Sequence, residues 1–191
     1  MHAQADTITL GYKFERCTRK CDPLALYAFL QSKNYSKEQI LEMGTYFSYH
    51  GNDQCSNAMM KLCLAAHDSI SAENWHVYSV QNTKNGNYSE SVSALEKAIL
   101  LDPKEMEGYY AWVLLYYYRD YERSLKHLER YDQLSPGVEA PVGENIHFLK
   151  GLCHYQMGHY QKAIEEFGLN ESFEVTRFGQ KNCNGYIYFY I

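Results

Sequence analysis

The chain has 191 residues, with 18 Lys and Arg against 23 Asp and Glu, for a formal net charge of -5. That is enough for one ordinary domain with a sizeable core, and it carries the wrong sign for a polyanion. The densest basic stretch, Arg119 to Arg130, is interleaved with Asp120, Glu122 and Glu129, so neither nucleic acid nor an anionic membrane surface is an expected partner. The longest apolar run, Gly108 to Tyr118, falls well short of the about 18 residues that a bilayer crossing needs. At the start, Ala3-Gln4-Ala5 before Asp6 has the form of a signal-peptide cleavage end without the charged and apolar regions that precede one. Chance and the remnant of a longer precursor both fit. The first leaves a cytoplasmic placement and the second a periplasmic or secreted one. Pro23 to Gln31 reads as a helix that caps the downstream array.

The segment Ala72 to Glu105 carries the main signal. Trp75, Gly86, Tyr88, Ala98 and Leu101-Asp102-Pro103 stand at the offsets of a repeat of about 34 residues. Each residue has a physical reason. Gly86 permits a tight turn between two antiparallel helices. Tyr88 opens the second helix, Ala98 is small where the helices cross, and Pro103 stops the second helix. On these residues the chain resembles the tetratricopeptide repeat family.

The scheme recurs downstream. Met106 to Pro136 repeats it, with Tyr121 and Leu134-Ser135-Pro136 in place, Arg119-Asp120 where the turn glycine stood, and Tyr131 where the family prefers alanine. That tyrosine argues against a close helix crossing. A breaker-rich insertion, Gly137 to Gly143, comes next. Glu144 to Asn170 then restores the pattern with Gly151, Gly158, Tyr160, Ala163 and Phe167. Upstream, Lys37 to Asp68 is a degenerate copy around Gly44, Gly51, Ser56 and Cys63. The expected order is an N-terminal segment with a capping helix over 1–36, a degenerate repeat over 37–71, a repeat over 72–105, an irregular repeat over 106–136, a linker over 137–143, a repeat over 144–170, and the start of a further helix over 171–191. The apolar ending Cys183 to Ile191 lacks a polar cap, which suggests a fragment of a longer array or a lone docking helix. The resemblance implies an all-α fold, a right-handed solenoid of antiparallel helix pairs.

No enzymatic motif is present: no nucleophile elbow, phosphate loop, GxGxxG or HExxH. Of the eight histidines, His147 and His154 share a helical face but lie seven apart, too far to hold one ion without a third element. They read as packing positions. The six cysteines (Cys17, Cys21, Cys55, Cys63, Cys153 and Cys183) show no CxxC and read as small apolar residues of a reduced protein. No cofactor, metal or catalytic residue is expected.

In this family the first helices of successive repeats line the concave surface that receives partners. Projecting the helical period gives Glu73, His76, Val80, Thr83 and Lys84 in the Ala72 unit, Glu107, Tyr110, Leu114, Tyr117 and Tyr118 in the Met106 unit, and Asn145, Phe148, Leu152, Tyr155 and Gln156 in the Glu144 unit. The expected peptide-binding residues are His76, Val80, Tyr110, Leu114, Tyr117, Tyr118, Phe148, Leu152 and Tyr155. With 19 Tyr against 8 Phe, the expected groove is tyrosine-lined and suits a protein or peptide with an apolar or aromatic segment. Family members that clamp a C-terminal carboxylate carry Lys, Asn and Arg across the concave helices; here the equivalent positions run His76, Val80, Tyr110 and Phe148, so such a ligand is not expected. Two other readings stay open: a homo-oligomer assembled through 183–191, or the regulatory repeat region of a longer chaperone-like or signalling protein.

Overall fold

The computed structural model describes residues 22–50, 53–66, 70–136 and 141–178. The expectations for Ala3-Gln4-Ala5, for Cys17 and Cys21 and for 183–191 therefore lie outside the described residues. Every described element is helical. In order these are α1 (Pro23–Ser32), α2 (Lys37–His50), α3 (Asp53–Ala66), α4 (Ala72–Lys84), α5 (Tyr88–Leu101), α6 (Pro103–Val113), a π-helical turn (Leu114–Tyr118), α7 (Tyr121–Leu134), a 3-10 turn (Pro141–Gly143), α8 (Ile146–Gln156) and α9 (Tyr160–Phe178). No described helix is long and apolar enough to cross a membrane. The chain divides into two compact units, Met1–Leu101 and Asp102–Ile191.

Local chemistry sets the helix starts. Each capping side chain accepts a hydrogen bond from an otherwise unpaired N–H of the first turn. Asp22 takes Ala25 N at 2.9 Å, with Pro23 as the first helical residue of α1. Ser71 and Asn74 close a reciprocal capping box at α4. Asp102 takes Glu105 N at 3.2 Å, Asp120 takes Arg123 N at 3.3 Å, and Asn145 takes His147 N at 2.8 Å. This revises the role given to Pro103. It is the first residue of α6, where its missing N–H costs nothing, so α6 starts three residues before the expected Met106.

In the first unit α1 to α4 bury Leu30, Ile40, Met59, Met60, Cys63 and Tyr78 in one core. The α4–α5 pair closes over Ala94, Leu95 and Ala98, all essentially buried, and Thr83 and Ser91 share a hydroxyl–hydroxyl bond of 2.7 Å. Gly86 makes the turn with φ +72.

In the second unit α7, α8 and α9 surround Leu128, Leu149, Cys153 and Phe167. The buried carboxylate of Glu107 ties α6 to α7, 2.9 Å from Arg130 Nε and 2.5 Å from His127 Nδ1. Tyr131 does not prevent close packing, contrary to expectation. The small residue has moved to the partner helix: a Cβ on Gly108 would stand 3.2 Å from the Tyr131 ring and 2.6 Å from Pro141 Cβ. A second correction concerns the end of this unit. Residues 171–178 continue α9 instead of opening a new helix. Between Ala163 and Phe178 the sequence holds no proline, and its one glycine, Gly168, sits in open space.

Candidate functional site

The second unit presents an aromatic cluster on its first helix. Trp112 stacks on Tyr109 with centroids 6.1 Å apart, and meets Tyr116 at 5.4 Å and Tyr117 at 5.5 Å. Glu144, just before the cap of α8, fixes two of these rings. Its carboxylate accepts from Tyr116 OH at 2.7 Å and from Trp112 Nε1 at 3.4 Å. Tyr116 and Tyr117 remain 42% and 49% exposed, so the cluster is a held but open surface. Such rings offer large apolar area at small cost in conformational entropy.

The π turn explains the arrangement. A π turn bonds residues five apart instead of four, so side chains after Val113 no longer follow the α-helical period. Trp112 and Tyr117, five apart, come together. Arg119 ends the turn with φ +56, and the carbonyl of Leu114 accepts from both Arg119 N and Asp120 N, the latter at 2.9 Å.

Beside the cluster lies a recess of about 400 Å³, lined by Leu115, Tyr116, Arg119, Tyr121, Leu152 and Gln156. Its lining mixes apolar leucines with polar Arg119 and Gln156. Arg119 makes no ion pair or hydrogen bond with its side chain among the described residues.

The nine predicted residues fare differently. Tyr117 is in the cluster and Leu152 lines the recess. Tyr118 is half-buried, as is Tyr155, which packs on Tyr160 at 5.8 Å. Tyr110 and Leu114 are wholly buried and are core, not groove. The reason is that α6 is covered on most sides, with Met106, Glu107, Gly108, Ala111 and Val113 buried as well. Tyr110 packs on His127 at 4.6 Å and accepts a hydrogen bond from Arg123 of α7. Glu107 is likewise interior. Phe148 is core too, against Phe167 at 6.0 Å. His76 and Val80 are half-buried on α4 of the first unit, with His76 Nδ1 3.3 Å from Glu73. Sequence reasoning missed Trp112, Tyr116, Arg119 and Glu144. The run Leu114-Leu-Tyr-Tyr-Tyr118 is conspicuous, but nothing in its composition separates a π turn from an α turn.

His147 Nδ1 is 2.8 Å from Glu166, while the His154 ring lies 5.9 Å from that of His159. Burial and Lys162 hold His154 below the usual imidazole range. Cys63 and Cys153 are free and buried, and burial pushes their thiols up to about 12 and about 11.

The first unit has a polar recess of about 440 Å³ lined by Asn57, Lys61, Tyr78, Asn82, Asn87 and Glu90 among others. Its groups mainly bond one another: Asn57 to Asn82 at 2.9 Å, Lys61 to Glu90 at 2.6 Å, and Tyr78 OH to Glu90 at 3.0 Å. It reads as a brace between helices.

Paired helices with left-handed turns at recurring positions define a helical-repeat fold. The family model described as Tetratricopeptide repeat matches residues 72–105 and 144–168, so these two segments are similar to tetratricopeptide repeats. A solved structure titled "Crystal structure of MamA" is similar in fold, with a TM-score of 0.65 and 17% identity over 87% of this chain and 95% of that one. No curated protein matches the chain.

Proposed function

We propose that this chain is a non-catalytic protein-interaction scaffold that captures an apolar or aromatic segment of a partner polypeptide on its second unit. The repeat family supports the general role, since such repeats serve as binding scaffolds. The observation that carries the finer reading is the open aromatic surface of Trp112, Tyr116 and Tyr117, held by Glu144 and adjoining a recess that Leu115 and Leu152 help to line. In this reading Tyr117 and Leu152, two of the residues expected from sequence, belong to the binding surface. Tyr118 and Tyr155 remain its flanks, while Tyr110, Leu114 and Phe148 support it from within.

A partner segment would lie across the rings and place one side chain in the recess. Pre-positioned rings lose little freedom on binding, so most of the buried area contributes to affinity. The test is selection of a displayed peptide library on the full chain, followed by calorimetry on the enriched peptides. Replacing Tyr116 and Tyr117 together by Ala is expected to weaken binding by about 30-fold or more, the loss of a buried aromatic anchor. Far-ultraviolet circular dichroism should stay helical. Unchanged affinity in that double variant would rule the surface out.

A further inference from the structure

We propose that the recess beside Arg119 takes an acidic side chain of a partner, together with the apolar residue next to it in the partner's sequence. The proposal rests on reading the second unit as a peptide-binding surface, and it names what that surface selects.

Arg119 stands where two other turns of the same chain have glycine. The three turns read Gly86-Asn87-Tyr88, Gly158-His159-Tyr160 and Arg119-Asp120-Tyr121. All three leading residues are left-handed, with φ +72, +77 and +56. Glycine takes that conformation freely, whereas any residue with a Cβ takes it at a cost. The turn therefore does not account for the arginine. Something else does.

Among the described residues its charge has no partner. No described carboxylate pairs with it, and two nearby ones are committed elsewhere. Asp120 caps α7 and lies 3.5 Å from Arg123, and Glu144 holds Tyr116 and Trp112. Among the described residues Arg119 thus lines the recess as an unpaired cation, together with Leu115, Leu152, Tyr116 and Tyr121. A planar five-donor fork next to hydrocarbon complements a carboxylate attached to an apolar stretch. Gln156, on the same rim, makes no side-chain hydrogen bond among the described residues and can take a main-chain amide of the visitor. A chain-terminal carboxylate fits less well. Its capture draws on a cradle of free backbone N–H groups, and here the N–H groups of Arg119 and Asp120 are both spent on the Leu114 carbonyl.

The test uses three capped dipeptides as probes on the isotope-labelled full chain, followed by nuclear magnetic resonance at low salt. The first is acetyl-Glu-Phe-amide, with a side-chain carboxylate. The second is acetyl-Gln-Phe-amide, which is neutral, and the third is acetyl-Gln-Phe with a free terminus. The first should bind with a dissociation constant on the order of millimolar and about tenfold more tightly than the other two, perturbing Leu115, Tyr116, Leu152 and Gln156. In the Arg119→Gly variant the three should converge while the spectrum stays that of a folded protein. Arg119→Lys should retain part of the preference, since a point charge replaces the fork. Equal binding of all three to the unsubstituted chain overturns the proposal. So does a preference that survives Arg119→Gly, or tightest binding by the free-terminus probe. If no probe binds up to about 20 mM, the recess is not an acid-selecting site. A library-selected peptide that still depends on Tyr116 and Tyr117 would then leave the aromatic surface standing without it.

Discussion

The ring of Phe167 occupies the space a side chain on Gly151 would need: a Cβ there would lie 2.5 Å from Phe167 Cδ1. The glycine and the ring together set how closely α8 and α9 cross. Gly151→Ala must push the ring or the helix aside, and overpacking of this kind costs about 1–3 kcal/mol. Gly168 on the same helix as Phe167 meets nothing within 4 Å, so Gly168→Ala should instead stabilise by about 0.5–1 kcal/mol. Urea unfolding of the two variants should give shifts of opposite sign.

Gly108 and Tyr131 form the corresponding pair between α6 and α7, with small and large exchanged between helices. Tyr131→Ala should cost about 3–5 kcal/mol through the cavity it leaves. Gly108→Ala alone should also destabilise, because its Cβ meets both the ring and Pro141. The combined variant should be more stable than the sum predicts, by about 1 kcal/mol. Strict additivity in a double-mutant cycle would show that the two residues do not share this space.

The three left-handed turns make a comparison within one molecule. Gly86→Ala and Gly158→Ala each place a Cβ in that conformation and should cost about 1 kcal/mol. Arg119→Gly removes one, and its outcome should run from neutral to about 1 kcal/mol stabilising, the relief of strain being offset in part by a freer unfolded chain. Thermal unfolding of the three variants measures this directly. A large loss of stability in Arg119→Gly would mean the arginine is held for the fold.

Cys63 and Cys153 report on pH. Their thiols stand at about 12 and about 11, and Tyr78 at about 12, mainly through burial. These groups ionise more readily once unfolded. Their contribution to stability is therefore full below the ordinary range near pH 9 and is lost as pH rises toward 12. Unfolding free energy should fall from about pH 9 upward, and Cys63→Ala should flatten part of that slope. At pH 8 iodoacetamide should label neither thiol in the native chain and both in urea, as read by mass spectrometry. Rapid native labelling of either would contradict the burial.

The residues alone disclose whatever depends on rare residue types at fixed offsets. Gly86, Tyr88, Ala98 and the Glu144 unit announce a helix pair because turns and close crossings accept few alternatives. The functional face is harder to read. Choosing Tyr110 and Leu114 assumes a straight α-helix exposed on one side, whereas α6 is buried nearly all round and changes to a π turn at Leu114. That change brings Tyr117 onto Trp112, and no composition signal marks it. The role of Gly108 is invisible for a different reason: it depends on Tyr131 and Pro141, which are distant in sequence.

The π turn has a further consequence for how this surface can vary. A π turn holds one residue more than an α turn and can relax to it by losing that residue. A single-codon deletion within Tyr116–Tyr118 would thus leave the start of α6 and the cap of α7 in place while re-aiming the remaining rings of the turn itself. The arrangement lets the rim of the second unit be redrawn by an insertion or deletion, a change that elsewhere in a helix would throw the packing out of register.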